Sequence, residues 1–412
     1  MTEATVDGSG LGTRGAVRLI VTGGGTGGHT YPALTVVRAL RARLSSVSTG
    51  LDVLWVGATD SLESRVAAEA GIDFAAVATG KVRRSSNPLK LVSPANARDM
   101  ARVPLGVAQA RGIVAGFRPD VVLSTGGYVA VPVGLAAAMC RRPLVVHEQT
   151  VRLGLANRTL ARVATRVAVS SESTVALLPE STRGTAVVTG NPVRPEVLSG
   201  RAERAVTALS LDSFDPARPT VYVTGGAQGS AQINGLVCDI LPWLLSGANV
   251  IHQCGPAHLA GLHQRAAALP PAVSARYLLT GFVGAELPDV LALADLVISR
   301  SGAGTIAELT ALGKAAILIP LASSAAGEQA HNAQYLAESG AAVAVVGEAT
   351  PDRLREAVAP LLTGSVLREG IARRARALGR PDAAERLVDV LLDVTDQRRR
   401  GRSGRGARHR LR

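Results

Sequence analysis

Hydrophobic and polar positions alternate along this chain in a way that predicts short buried strands separated by helices. In the first half, apolar runs typical of buried strands cover 18–22, 53–57, 120–124, 143–147 and 166–170. Helical patterns fall between them, at 32–44, 61–70, 96–116, 129–140 and 155–161. Strands rich in Val, Ile and Leu that alternate with helices are typical of parallel sheets covered by helices on both faces.

The alternation stops at a polar connector and then starts again, which predicts two domains. The second set of strand-like runs covers 220–224, 249–252, 277–280, 296–299, 315–320 and 342–346. A chain of 412 residues also suits two domains better than one. We therefore expect an N-terminal domain at 16–190 with a returning helix at 382–397, a linker at 191–217, and a C-terminal domain at 218–381.

Each predicted domain opens with a glycine-rich loop between a strand and a helix. The first loop is Gly23–Gly28 and the second, Gly225–Ser230, is similar to it. Strand, glycine turn and helix form the usual opening of a Rossmann-like domain, whose ligands lie beyond the carboxyl ends of its strands. The sequence thus predicts two doubly wound α/β domains with a cleft between them. A dehydrogenase reading of the first loop is weaker, because Asp60 lies late for the acidic residue it needs.

A third glycine-containing segment, 299–309, follows a strand and leads into a helix. Ser301 is suited to cap that helix, while Gly302 and Gly304 would let backbone N–H groups approach a phosphate. Glu308, about one turn into the helix, is suited to accept two hydrogen bonds from a ribose diol. The alternative role of Glu308 is to compensate the helix dipole.

Further polar side chains are placed where they would face the cleft. His29 directly follows the first glycine loop and is either a general base or a histidine that caps or packs the helix. Glu328, Gln329 and Asn332 begin a later helix and would contact sugar hydroxyls or form an exposed helix face.

Composition and charge narrow the class of protein. Aromatic residues are only 3% of the chain, which disfavours a binder of single-stranded nucleic acid. The net charge is +13, and eight arginines lie in 398–412, which we expect to be a disordered tail. That tail is a solvated end, a contact for an anionic membrane or, least favoured, an RNA-binding segment.

The cysteines and apolar runs favour a cytosolic protein. Three cysteines without a Cys-x-x-Cys pair indicate neither a disulfide framework nor a zinc site. The longest apolar run, 129–140, is too short to span a bilayer, and residues 1–15 do not resemble a signal peptide. The chain contains no Asp-x-Asp pair, so we expect no metal bound by such a motif.

Several motifs occur in the order found in one enzyme family. They are the segments 23–34, 80–84, 125–129, 147–149, 154–158, 190–194 and 301–309. Together they resemble the MurG family, inverting glycosyltransferases that add GlcNAc from UDP-GlcNAc to lipid I and so make lipid II. The resemblance covers about 18–395.

This resemblance implies a fold, substrates and a location. The fold would be GT-B, with UDP-GlcNAc bound by the C-terminal domain and a lipid-linked MurNAc-peptide acceptor bound by the N-terminal domain. No cofactor and no nucleic acid are expected. The protein would lie on the cytoplasmic face of the plasma membrane, where other cell-wall synthesis enzymes are candidate partners. Basic and apolar residues mixed within 81–91, including Lys81, Arg83 and Arg84, suit an anionic membrane surface or form a solvated loop.

The resemblance also assigns roles within the site. Glu308 would hold the uridine ribose, Arg194 would reach the donor phosphate, and Val283 would offer backbone atoms to uracil. His29 is the first candidate for the general base and Glu148 is the second. The other predicted substrate-binding residues are Thr26, Gly27, Gly28, Tyr128, Thr150, Asn157, Ala227, Gln228, Gly229, Ala303, Gly304, Thr305, Glu328 and Gln329.

Two positions depart from the family pattern. Thr150 stands where Asn is usual, and Ala227 stands where Ser is usual. These departures leave open a related enzyme that acts on another lipid-linked acceptor, as in phosphoglycolipid antibiotic assembly. A UDP-GlcNAc epimerase and a non-catalytic scaffold for cell-wall enzymes are the alternatives from other classes.

Overall fold

In the computed structural model, which describes residues 15–80, 94–324 and 327–409, two parallel β-sheets form the frame of the protein. The seven strands of the first sheet are β1 (Val17–Thr22), β2 (Leu51–Gly57), β3 (Asp73–Ala76), β4 (Val121–Ser124), β5 (Leu144–Glu148), β6 (Arg166–Val169) and β7 (Ala186–Val188). The six strands of the second are β8 (Thr220–Thr224), β9 (Asn249–Gln253), β10 (Tyr277–Thr280), β11 (Leu296–Ser299), β12 (Ala315–Leu318) and β13 (Val343–Ala344). The strand orders are β3-β2-β1-β4-β5-β6-β7 and β10-β9-β8-β11-β12-β13, and every pairing is parallel.

Helices cover the two sheets and connect their strands. Those of the first half are α1 (Gly27–Ser45), α2 (Leu62–Glu69), α3 (Pro94–Phe117), α4 (Ala130–Met139), α5 (Leu155–Leu160), α6 (Glu172–Val175) and α7 (Glu180–Arg183). Those of the second half are α8 (Ala202–Ala208), α9 (Ala231–Gly247), α10 (Leu259–Ala267), α11 (Pro271–Ser274), α12 (Leu287–Leu293), α13 (Ala303–Leu312), α14 (Glu328–Glu338), α15 (Pro351–Thr363), α16 (Ser365–Leu378) and α17 (Ala383–His409). Short 3-10 helices occupy Pro195–Ser199 and Pro256–His258. The predicted pair of Rossmann-like sheets is therefore confirmed.

Two strands have no counterpart in the sequence prediction, namely β3 and β7. Both are short edge strands, and none of their residues is fully buried. A half-exposed edge strand does not need a continuous apolar run, so its sequence pattern is weak.

The helix α17 packs on the first sheet, so the chain returns from the second half of the molecule to the first. Leu387, Leu391 and Val394 of α17 are buried in one cluster with residues of α1 and β1. Arg43 of α1 also bonds to Glu385 at 2.6 Å on the exposed side of this contact.

Two segments differ from the sequence prediction because they pack on neighbouring elements. The predicted linker, 191–217, carries Val197, Ala205 and Leu211 into a core cluster of the second half. The predicted disordered tail begins at 398, whereas the structure continues α17 to His409. Arg399 in this helix bonds at 2.8 Å to Asp120, whose side chain is largely buried. This bond holds the helix in place beyond residue 397, where the predicted helix ends.

The structure bears on only part of the predicted membrane contact. The basic and apolar segment that includes Lys81, Arg83 and Arg84 lies outside the described residues. Within the described part of the chain, no helix has both the length and the apolar character needed to cross a bilayer.

Candidate active site

A cavity of about 190 Å³ lies between the two sheets and is lined by both halves of the chain. Gln149 and Asn191 line it from the first half, and Ala303, Ile306 and Asn332 line it from the second. These residues follow the carboxyl ends of strands or begin the next helix, where ligands of parallel sheets bind. The sequence prediction of a cleft between two domains agrees with this arrangement.

The first glycine loop ends in the first turn of α1. The helix begins at Gly27, five residues before the predicted start at 32, so His29 lies within its first turn. Thr26 is the extended N-cap residue and makes no side-chain cap bond. The N–H groups of Gly27 and Gly28 therefore stand at a helix N-terminus, where they suit an anionic or hydroxyl-bearing ligand.

The buried carboxylate of Glu63 hydrogen-bonds to the first glycine loop. Glu63 is fully buried, and its two oxygens accept bonds from the backbone N–H of Gly25 at 3.1 Å and of Ala58 at 3.2 Å. A Cβ atom on Gly24 would overlap the same carboxylate, so glycine is required there. Sequence reasoning did not find Glu63, because a single Glu in a surface-like helix pattern gives no signal of burial.

His29 contacts a buried glutamine, which in turn contacts a buried histidine. His29 Nδ1 lies 3.2 Å from Gln149 Oε1, and Gln149 Nε2 lies 3.1 Å from His147 Nδ1. His147 is fully buried and its Nε2 lies 2.9 Å from the carbonyl of Gly190. Burial lowers the pKa of His147 to about 4, so it is neutral at pH 7. The hydroxyl of Thr125 donates to the His29 carbonyl at 2.9 Å, which fixes the backbone here.

Glu148 organises the loop that follows β5. The carboxylate is 2% exposed and accepts four bonds. Thr150 donates to Oε1 through its N–H at 3.1 Å. Its hydroxyl lies 2.8 Å from Oε1 and 2.5 Å from the Arg152 carbonyl, so the single hydroxyl proton is shared between these two acceptors. Gly154 N–H and Asn157 Nδ2 donate to Oε2 at 2.9 and 3.0 Å. Both carboxylate oxygens of Glu148 are therefore hydrogen-bonded within the protein. The polar side chains of Thr150 and Asn157 face this carboxylate.

The N-terminus of α13 forms the opposite side of the cleft. Ala303 is its first residue, and Gly302 is the N-cap without a side-chain cap bond. The predicted cap role of Ser301 is wrong, because its hydroxyl donates instead to the Gln329 carbonyl at 2.7 Å. The N–H groups of 303–305 are left for a ligand, as expected of a phosphate site.

Glu308 and Arg194, which the sequence assigns to the ribose and the phosphate, lie in contact with each other. Arg194 donates to Glu308 Oε1 from Nε at 3.1 Å and from Nη2 at 2.9 Å. The side chain of Glu308 is 19% exposed and that of Arg194 is 43% exposed. Both bonds use Oε1, so Oε2 of Glu308 makes no hydrogen bond to the residues that the structure describes.

The second glycine loop lies at the start of α9. Ala227 and Gln228 are exposed, and Gly229 adopts a positive φ of 73°. Ser230 caps the helix by accepting from the N–H of Ile233 at 3.2 Å. Two N–H groups of the loop are bonded within it, that of Gly226 to the Thr224 hydroxyl at 3.0 Å and that of Gly229 to the Gly226 carbonyl at 2.9 Å. Ala227 contributes no hydroxyl.

A buried glutamine ties this loop to the predicted uracil contact. Gln253 Nε2 donates to the Gly226 carbonyl at 2.9 Å, while its Oε1 accepts from Tyr222 at 3.1 Å and from the N–H of Val283 at 3.0 Å. The N–H of Val283 is thus already bonded, which leaves its carbonyl for a base. Burial raises the pKa of Tyr222, which keeps the phenol protonated. Gln253 belongs to none of the motifs recognised in the sequence.

The side-chain amides at the start of α14 are hydrogen-bonded within the protein and do not form an exposed helix face. Gln329 Oε1 accepts from the N–H of Leu321 at 2.9 Å. Asn332 is 3% exposed, donates to the Ser301 carbonyl at 3.1 Å, and accepts from the N–H of Val151 at 3.4 Å. This last bond joins the two halves of the chain. Glu328 is only partly exposed at the start of the helix.

Arg300 and Asn191, like Glu63 and Gln253, are site residues that were not predicted. Arg300 donates to Ser230 Oγ at 2.7 Å and to the carbonyls of Ile319 and Pro320 at 3.1 and 3.0 Å, which joins three loops of the second half. Asn191 is 5% exposed and lines the cavity, and neither polar atom of its amide has a protein partner within the described residues. Across the described chain, no three His, Cys, Asp or Glu side chains are grouped to hold a metal ion.

Comparison with known proteins assigns the chain to a family. The model of the glycosyltransferase family 28 N-terminal domain matches residues 19–169, and that of the C-terminal domain matches 220–387. A relative in Treponema pallidum (strain Nichols) is 36% identical over 325 residues, which cover 79% of this chain and 81% of that protein. The chain belongs to glycosyltransferase family 28.

The relatives of this family 28 chain also confirm the MurG resemblance. The Treponema protein is named UDP-N-acetylglucosamine–N-acetylmuramyl-(pentapeptide) pyrophosphoryl-undecaprenol N-acetylglucosamine transferase. A protein of the same name in Halalkalibacterium halodurans is 34% identical, with 92% of this chain and 99% of that protein covered. This chain is therefore a hexosyltransferase of the MurG type.

Solved structures confirm the GT-B fold of this family 28 chain. The crystal structure of Acinetobacter baumannii MurG matches with a TM-score of 0.70 at 26% identity, over 92% of this chain and 99% of that one. A UDP-GlcNAc 2-epimerase from Neisseria meningitidis, bound to UDP-GlcNAc, matches with a TM-score of 0.62 at 16% identity, over 91% and 99%. The epimerase likeness shows a shared fold and nothing about activity.

Proposed function

We propose that this protein transfers GlcNAc from UDP-GlcNAc to the 4-hydroxyl of MurNAc in undecaprenyl-pyrophosphoryl-MurNAc-pentapeptide, with inversion at the anomeric carbon. The observation that carries the proposal is the arrangement of two helices that contact each other, α1 and α13. Each begins at the carboxyl end of a central strand, one with His29 in its first turn and the other with free N–H groups. A base and a diphosphate site are thereby presented from opposite halves.

The donor would bind the C-terminal half. The diphosphate suits the N–H groups at the start of α13, because helix N-termini carry partial positive charge. Glu308 would accept from the ribose diol through Oε2, while Arg194 turns toward the phosphate. The Val283 carbonyl would contact uracil, and Gln329 with Glu328 would contact the GlcNAc hydroxyls.

The reaction would be a single displacement. The acceptor O4 attacks the anomeric carbon, and the bond from that carbon to the β-phosphate oxygen of UDP breaks. The proton of the hydroxyl passes to His29, since imidazole is the side chain best suited to take a proton near pH 7. The charge that develops on UDP is stabilised by the N–H groups of α13 and by Arg194.

The acceptor would bind the N-terminal half, near the loop that Glu148 organises. We propose that Glu148 positions this loop and does not take the proton, because both of its oxygens are already bonded. Thr150 replaces the usual Asn, but its hydroxyl serves the same carboxylate. This contact supports an intact acceptor site despite the departure.

The protein would work at the cytoplasmic face of the plasma membrane as a peripheral enzyme. The basic segment at 81–91 and the arginines at the end of α17 would attract anionic lipids, at about 1 kcal/mol for each basic residue near the surface. Other cell-wall synthesis enzymes are proposed neighbours there.

A transfer assay tests the function. Purified protein is incubated with UDP-GlcNAc and a panel of acceptors: a lipid I analogue, other lipid-linked sugars, and no acceptor. The proposal predicts a disaccharide product with the lipid I analogue. Product with another lipid-linked sugar alone would support the second candidate, an enzyme for another lipid-linked acceptor, which the departures at Thr150 and Ala227 leave open. Formation of UDP-ManNAc without acceptor would instead support an epimerase.

A further inference from the structure

The amide of Gln149 is held in one orientation by its surroundings. Its Nε2 lies 2.7 Å from the carbonyl of Thr125 and 3.1 Å from the carbonyl of His147. Both partners are acceptors, so only the NH₂ group can face them. The opposite orientation would bring Oε1 against two carbonyl oxygens in a site that is 4% exposed. Gln149 Oε1 must therefore point toward His29.

His147 reinforces this orientation from the other side. Its Nε2 lies 2.9 Å from the Gly190 carbonyl, which can only accept, so the proton of His147 is on Nε2. Its Nδ1 then carries a lone pair that faces Gln149 Nε2 at 3.1 Å, and the second N–H of that amide is shared between this lone pair and the His147 carbonyl. Because His147 is fully buried and neutral, this pattern of donors and acceptors persists across the working pH range.

These contacts determine which ring nitrogen of His29 carries the proton. We propose that Gln149 is a positioning residue that holds His29 as its Nδ1–H tautomer. His29 Nδ1 lies 3.2 Å from Gln149 Oε1, which can only accept, so Nδ1 must donate. The lone pair of neutral His29 is then on Nε2, which has no partner among the residues that the structure describes.

This tautomer is the one that the transfer requires of a base anchored through Nδ1. The acceptor hydroxyl gives its proton to the Nε2 lone pair, and the resulting imidazolium keeps its Nδ1–H bond to Gln149. The other tautomer would place a proton on Nε2 and turn a lone pair toward Gln149 Oε1, where two acceptors would meet. The inference rests on the proposed function, in which His29 is the general base.

Nitrogen NMR of the imidazole rings tests the tautomer directly. The wild-type protein is labelled with ¹⁵N-histidine, and His29 is assigned from the signal lost in His29→Gln. The expected result is a proton-bearing Nδ1 and a lone-pair Nε2 for His29. A wild-type His29 that carries its proton on Nε2, or that populates both tautomers equally, would overturn the proposal without any variant being needed.

A substitution tests the role in turnover. Gln149→Met keeps the length of the side chain but removes the acceptor, so the Nδ1–H tautomer of His29 should lose its preference. The kcat should fall about two- to ten-fold, the change expected when one neutral hydrogen bond is lost, with the donor KM unchanged. Gln109→Met is the matched control, since Gln109 is exposed and accepts from the N–H of Ala78, away from the cleft. An unchanged His29 tautomer in folded Gln149→Met would refute the inference.

The assignment of His29 as the general base and the positioning of His29 by Gln149 can be refuted independently. If His29→Gln retains full turnover while wild-type His29 shows Nδ1–H, the base assignment is wrong and the positioning by Gln149 stands. If His29→Gln is inactive but the tautomer does not depend on Gln149, the base assignment stands and the positioning is wrong.

Discussion

Replacing Glu148 with Gln distinguishes an anchor of the acceptor loop from a catalytic base. The carboxylate is 2% exposed and accepts four bonds, two at each oxygen. An amide can accept at one end only, so two donors would face an NH₂ group. A hydrogen bond to a charged group is worth about 1.5–3 kcal/mol, which predicts a loss of roughly 3–6 kcal/mol in the free energy of unfolding. That is a large part of the stability of an ordinary domain.

The assay combines urea unfolding with the pH profile of kcat. We expect Glu148→Gln to unfold at a much lower urea concentration and to turn over more slowly, because the loop at Thr150 and Gly154 shifts. The acidic limb of kcat should survive, because His29 is intact. Glu203→Gln, on the exposed face of α8, is the matched control. A Glu148→Gln protein that is as stable as the wild type, with the acidic limb abolished in its residual kcat, would refute the anchor role.

Three further predictions concern the donor, stability and the membrane. Glu308→Ala should raise the donor KM ten-fold or more and leave the acceptor KM unchanged, because it removes charge-assisted bonds to the ribose; an unchanged donor KM in steady-state kinetics would contradict the ribose role. Burial lowers the pKa of His147 and His252 from 6.5 to about 4, so the unfolded state binds more protons as pH falls from 6.5 toward 4. Each should cost about 2 kcal/mol of stability between pH 7 and pH 5, and urea titrations of wild type and His252→Asn should differ in that slope. Removal of 401–412 should weaken sedimentation with phosphatidylglycerol vesicles and leave turnover on a short-chain, soluble acceptor unchanged. If the truncated and full-length proteins bind the vesicles equally, the tail does not contribute to membrane binding.

Most of the fold follows from the sequence because buried parallel strands leave a strong apolar signal. The central strands β1, β4, β8 and β11 fall where the sequence predicts them. The edge strands β3 and β7 were missed because exposed edges do not need such runs. The start of α1 at Gly27 was also missed, since glycines weaken any helical pattern.

The site was predictable where residues follow a motif, and not where distant segments meet. The glycine loops and the segment that carries Glu308 were singled out because each lies between a predicted strand and a predicted helix, and because they resemble the motifs of one family. Glu63, Gln253 and Arg300 were missed because their roles arise from contacts to backbone groups that only the folded chain brings near. The pairing of Arg194 with Glu308 spans 114 positions and could not be inferred from either motif.

The measurement that tests the central claim most directly is the structure of the product formed from UDP-GlcNAc and a lipid I analogue. Mass spectrometry should show one added N-acetylhexosamine, and proton NMR should show a β linkage to O4 of MurNAc. The same mixture with His29→Gln should still bind UDP in calorimetry but form product about 10²–10⁴-fold more slowly. An α linkage, a product on a different hydroxyl, or no transfer by folded wild-type protein would contradict the account.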